Sequence, residues 1–275
     1  MKQLDNYISE KLVINKNLKT FNYFVPNSLE EFNEYVKTQK LKTNKSNGLY
    51  GTKENPVNLS RIDFSKLALS DNEILAYCCL DVDDIAYVDM SYCKFGNMLS
   101  IDHMFEDFIS IKFIDITGWD LGKIEILTGL FSGCIELKEI QGIDSLDLSN
   151  VSRITALFRN CKKLEKVDVS KWNTKNIVRM ASLFKDCTSL IDIGDVSNFN
   201  LDNIESLANM FNNCINLSKI KGIENWKLPK CTTLKGIFYN CTNLNINIDN
   251  WEIPNDVKLE DSFTNTNIKP KWYKP

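Results

Sequence analysis

Five cysteines, Cys134, Cys161, Cys187, Cys214 and Cys241, recur at almost equal intervals in a chain that holds nine cysteines and a single histidine, His103. Thiols in such number raise disulfide or zinc chemistry, and any Ser-His-Asp or Cys-His site would have to be built on His103. Zinc requires ligands that converge tetrahedrally, whereas cysteines one repeat apart present one sulfur per copy along a line. The odd total, with Cys78 and Cys79 adjacent and poorly placed to pair with each other, fits a reducing compartment. The five-membered column is therefore read as a buried, reduced ladder of small polarizable side chains. In the same register His103 corresponds to Gly129, Ala156, Ser182, Asn209, Gly236 and Asp261, which predicts a surface position. Glycine-rich phosphate loops of the Walker or dinucleotide type do not occur. These residues predict no catalysis, no metal and no cofactor.

Acids form a second pattern. Asp89, Asp115, Asp168 and Asp195 each precede an aliphatic residue, and Asp144, Glu224 and Asp249 each follow one. Phe113, Glu139, Lys166, Asp192 and Lys219 lie beside them. Charges repeated in this way predict either a solvated face that discourages sheet-on-sheet aggregation or a recognition surface. The candidate partner-binding residues are Asp89, Asp115, Lys166, Asp168, Asp192, Asp195 and Lys219. The 33 basic and 36 acidic residues give a net charge of −3, which supplies no basic field for nucleic acid.

The elements that hold these columns follow from a repeat. Phenylalanine recurs at Phe105, Phe131, Phe158, Phe184, Phe211, Phe238 and Phe263, and the cysteine column follows each anchor by three residues, beginning with Phe108 and closing with Thr266. Leucine or isoleucine comes three later, from Ile111 to Leu244. Twelve positions before an anchor stands Cys93, Trp119, Leu146, Trp172, Phe199, Trp226 or Trp251. Three before each of these is Met90, Ile116, Ile143, Val169, Val196, Ile223 or Ile248. Cys79, Val82, Ile85 and Val88 read as an altered first copy. Several columns held in register at this period are the mark of a solenoid. Within one unit, LEKVDVSKW (164–172) alternates as a strand with one buried face, and NIVRMASLF (176–184) has helical spacing. The longer copies often carry an added glycine near the strand, as at Gly142, Gly194 and Gly222, which suggests a bulge. The tryptophan column is in phase with the core and predicts packing at the strand end, not sugar stacking.

The run SLFKDCTSLIDIGDVSNFNLDNIESLANMFNNC resembles the BspA-like leucine-rich repeats, units of about 25 residues, found in Mycoplasma and Bacteroidetes surface proteins and in large phages of gut Bacteroidetes. The resemblance covers approximately residues 57–263 and implies an α/β repeat solenoid, with short parallel strands on one face and short helical or 3-10 segments on the other. The family's bend appears here only loosely, as Asn173–Lys175 or Asn200–Asp202.

Residues 1–56 lack the repeat and are expected to form a small helical segment. Leu4, Ile8 and Leu12 mark one amphipathic helix, and a capping box at Ser28 and Glu31 opens a second, with Leu29, Phe32 and Val36 on one face. The polar run 41–56 reads as a loop or linker. The helices would cap the solenoid or dock it to a partner. Residues 57–265 would hold seven to eight rungs, and 266–275 a C-terminal tail. The opening YISEKLVINKN resembles the openings of repeat proteins encoded by those phages, which implies a structural or virion-associated role as the alternative function. Short apolar runs at the N-terminus are broken by polar residues, so no export signal is read, and no window reaches the length of a membrane helix. The expectation is a non-catalytic binding module, cytoplasmic or virion-associated and not inserted in a membrane. It would present an extended acidic sheet face to a protein or glycan.

Overall fold

The computed structural model describes residues 23–43, 45–66 and 84–274. The first predicted helix, around Leu4, Ile8 and Leu12, and the altered copy at Cys78, Cys79 and Val82 lie outside the described residues.

Helix α1 spans Leu29–Lys42. Ser28 Oγ caps it by accepting the Glu31 N–H at 3.1 Å, while the Glu31 carboxylate reaches back to the backbone and side-chain amides of Asn27. This differs by one residue from a capping box, in which that carboxylate would serve Ser28. Phe32, Tyr35 and Val36 are buried, with Phe32 edge-on to Phe64 at 5.3 Å. Phe24 forms a parallel bridge to Ile62. The loop expected over 41–56 contains a hairpin, β1 (Lys45–Ser46) against β2 (Leu49–Tyr50). Asn47 and Gly48 close it at φ 52° and 81°, as a two-residue turn with left-handed residues requires.

A parallel sheet of four strands follows: β3 (Val57–Asn58), β4 (Tyr87–Asp89), β5 (Phe113–Asp115) and β6 (Glu139–Gln141), in chain order. Val88, Ile114 and Ile140 stand in register and turn inward. Beyond Gln141 the regular pairing lapses, and only single bridges continue, such as Lys166 with Asp192 and Asp195 with Lys221. Gly142 and Gly222 do not make bulges; at φ 85° and 87° they open the 3₁₀ turns Ile143–Ser145 and Ile223–Asn225, which take the chain out of strand geometry. A Cβ at Gly222 would fall on Ser197 N, with Ser197 Cα only 2.6 Å away. Gly222→Ala is expected to cost about 1–3 kcal/mol through the disallowed φ and this clash. A thermal midpoint equal to that of the parent would contradict the turn.

Opposite the strands, the helical or 3-10 segments expected over stretches such as 176–184 are absent among the described residues. Consecutive turns replace them, closed by bonds such as Ser132 N–H to Gly129 O and Cys134 N–H to Phe131 O. Each copy holds two left-handed residues, one in the column His103, Gly129, Ala156, Ser182, Asn209, Gly236 and Asp261, the other four positions later, with φ between 55° and 76°. The second column is Asp107, Gly133, Asn160, Asp186, Asn213, Asn240 and Asn265, all residue types that tolerate this region. Three-residue turns bring every third or fourth side chain inward, so their apolar spacing imitates that of a helix.

The core is one cluster running from Phe24 to Ile268. Its axis is the phenylalanine column, with rings 5.4–5.9 Å apart and within 14° of parallel from Phe105 to Phe238. The thiols of Cys134, Cys161, Cys187, Cys214 and Cys241 donate to the carbonyls of Phe105, Phe131, Phe158, Phe184 and Phe211 at 2.9–3.1 Å, each in the copy before. Tryptophans do the same at the strand end: the indoles of Trp119, Trp172 and Trp251 donate to Met90, Ile143 and Ile223 carbonyls. Residues 266–274, set apart in the sequence as a tail, fold over the last copy, where Trp272 stacks 6.4 Å from Trp251.

Candidate functional site

The acid column of the strand face works first as turn chemistry. Asp89, Asp115, Asp168 and Asp195 each use Oδ1 to accept the backbone N–H two residues on, from Ser91, Thr117, Ser170 and Ser197, at 2.8–3.0 Å. Asp192 does so for Gly194 at 3.0 Å. These are Asx turns, in which a short side chain replaces a backbone acceptor at the bend. The hydrogen bonds from Ser170 hold the Asp168 carboxyl below its usual range. Lys221, together with Ser197, lowers that of Asp195 to about 2.

Charges on this face pair across copies. Asp195 meets Lys221 at 2.7 Å, Asp144 meets Lys171 at 2.6 Å, and Asp249 meets Lys271 at 3.0 Å, while Glu139 is reached by Lys53 at 2.7 Å. The face is therefore mixed in sign. Phe113, read as lying beside the acids, is buried under the Lys53 ammonium, which sits 5.7 Å from its ring centre.

Of the seven candidate residues, the structure brings three together. Asp192, Asp195 and Lys219 line an open depression of about 600 Å³ with Lys221, Glu224, Asn245 and Asn247. Asp192 and Lys219 are exposed and enter no ion pair among the described residues. Lys166 stands beside Asp192 through its bridge, and Asp168 lies against Gly194. Asp89 and Asp115 are paired neighbours on β4 and β5, several copies away. The sequence reading missed Lys221, Asn245 and Asn247. The signal for Lys221 was a lysine one repeat after Asp195, which places opposite charges on neighbouring copies.

Elsewhere, His103 Nδ1 lies 2.8 Å from Glu106 Oε2 on the turn side. No group of three or more His, Cys, Asp or Glu side chains that could hold a metal occurs among the described residues. No helix among them is long and apolar enough to cross a membrane. What the depression offers is paired donors and acceptors of both charges on a backbone stiffened by turns.

Fold and face together define a repeat protein: copies of one short unit joined side by side around stacked phenylalanines, with a polar strand face. The chain belongs to the family described as Mycoplasma protein of unknown function, DUF285, whose model matches residues 99–217 and 193–271. No curated protein matches it.

Proposed function

We propose that the chain is a leucine-rich-repeat-like solenoid of the BspA-like kind and serves as a non-catalytic binding module. Its strand face takes a protein or glycan partner at the depression around Asp192, Asp195 and Lys219. The observation that carries this reading is the convergence there of side chains from successive copies, among them Asp192 and Lys219, whose charges enter no ion pair among the described residues. Repeat arrays bind through such extended regular surfaces. Both signs of charge suit a protein segment or a hydroxyl-rich sugar, and the charged part of the attraction acts on association rate and weakens with salt. Docking through the N-terminal helices, the alternative, has less support, because the apolar residues Phe32, Tyr35 and Val36 of α1 are already buried in the chain's own core.

The test is to screen the purified chain against a glycan array and a displayed peptide library, then repeat each hit with Asp192→Asn, Asp195→Asn and Lys219→Gln combined. Asparagine keeps the Oδ1 acceptor of both Asx turns, so the fold is retained. Hits are expected to weaken by roughly tenfold or more, as loss of one to two charge-assisted contacts implies. Hits of undiminished affinity, or none at all, would reject the reading.

A further inference from the structure

Three of the chain's four arginines, Arg153, Arg159 and Arg179, fall within two successive copies, and Lys185 holds the position that corresponds to Arg159. The two copies run side by side on the turn side. The N–H groups of Ile154, Ala156, Phe158 and Asn160 donate to the carbonyls of Arg179, Ala181, Leu183 and Lys185 at 2.7–3.0 Å. That register sets Arg153 beside Arg179, joined by a parallel bridge, and Arg159 beside Lys185. Along the chain between the two pairs, the side chains that are not buried are small: Ala156 and Ala181, with Thr155 and Ser182. Beneath them Phe158 and Phe184 stack at 5.5 Å. Four cations therefore stand on a packed support around a low centre.

The fold makes little use of these charges. The side chains of Arg153, Arg159 and Lys185 enter no ion pair and donate no hydrogen bond among the described residues. Arg179 meets Glu205 at 3.6 Å with both side chains about half exposed, a surface contact that contributes little. All three arginines are exposed. Neighbouring copies hold uncharged residues in both columns, Ile126 and Ser132 before the pairs and Ser206 and Asn212 after them. The positive field is thus confined to two copies of a chain whose net charge is −3, with Glu106 beyond Ser132 on one side and Glu205 on the other.

We infer that this patch docks a short acidic segment of a partner protein, whose carboxylates reach both pairs while small residues cross Ala156 and Ala181. Arginine presents a planar fork that holds a carboxylate through two parallel N–H donors, which the point charge of a lysine does not. Adjacent forks one copy apart suit neighbouring acids on one segment. A nucleic acid carries a charge every ~1.7 Å along its whole length, and it would run from two basic copies onto Glu106 and Glu205. The patch lies on the turn side, away from the depression at Asp192, and it stands whether or not the strand face binds.

Fluorescence anisotropy of the full chain with a labelled peptide, in which glutamate pairs flank two alanines, tests this. Saturable binding is expected at low salt, weakening as salt rises, with none to the peptide's glutamine counterpart. Arg153→Gln combined with Arg159→Gln is expected to weaken binding roughly tenfold or more, as loss of charge-assisted contacts implies. Arg153→Lys with Arg159→Lys keeps the charge without the forks and is expected to weaken it too; this pair decides the matter should the glutamine pair not fold. Lys123→Gln with Lys175→Gln removes the same charge from exposed positions outside the patch and should bind as the parent does. The inference is overturned by absence of saturable binding, by an equal loss in the Lys123 and Lys175 variant, or by parental binding of the lysine pair. Tighter capture of a single-stranded oligonucleotide or of phosphatidylserine vesicles would overturn it as well, and so would self-association that the glutamine pair abolishes, which would make the occupant a second copy.

Discussion

Phe184→Ala is expected to destabilise the protein by about 3–5 kcal/mol, the range for removing a fully buried phenylalanine when the cavity cannot collapse. Phe184 is wholly buried, and its ring lies 5.5 Å from that of Phe158 and 5.6 Å from that of Phe211. Its backbone is committed as well, since the carbonyl accepts the Cys214 thiol and the N–H donates to Met210. Neither neighbouring ring can move into the gap without leaving its own stacking partner, so relaxation is restricted. Denaturant unfolding measures the loss. Lys162 is exposed, and Lys162→Ala serves as the control. A surface change of this kind is expected to shift stability by no more than about 0.5 kcal/mol. Equal midpoints for Phe184→Ala and the parent would remove the phenylalanine column from the core.

Alkaline pH is expected to unfold the protein through its thiols. Burial pushes Cys187 and Cys241 from an ordinary value of 9.0 up to about 12, and it raises Cys134, Cys161 and Cys214 as well. In the unfolded chain these groups ionise near 9, so between 9 and 12 the unfolded state binds fewer protons. Stability is then full below pH 9 and falls as pH rises, by about 1.4 kcal/mol per pH unit for each such thiol. With five stacked thiols acting together, the chain is expected to unfold cooperatively within the first two units or so above pH 9. Circular dichroism against pH reads this, and Cys187→Ala combined with Cys214→Ala should flatten the decline. The same burial predicts that a thiol reagent at neutral pH labels the column only when the chain opens, slower than the unfolded chain by roughly a thousandfold or more. Rapid labelling of native Cys161, Cys187 and Cys214 would place the column outside the core.

The repeat and its inward columns were legible because burial is decided locally. A phenylalanine, a cysteine and a leucine held three residues apart leave one way to keep all three from water, and every phenylalanine anchor, cysteine and tryptophan of those columns is buried. The spacing of Ile177, Met180 and Leu183 was legible too, but not its meaning, since turns closed at three residues and a helix bury the same positions. Only the destination of the backbone N–H groups separates the two. Alternate ones go to the next copy and the rest close turns within their own, which no single copy reveals. The strand face was half readable. Each acid was located, but the use of Asp89, Asp115, Asp168 and Asp195 as turn acceptors depends on backbone curvature, and the pairing of Asp144 and Asp195 depends on a lysine one copy away in space. What the sequence alone determined is the unit, its period and its buried side. The tertiary structure decided which way the peptide planes point, which charges meet and where the face is hollow, because these arise between copies, where side chains a full repeat apart in the chain stand in contact.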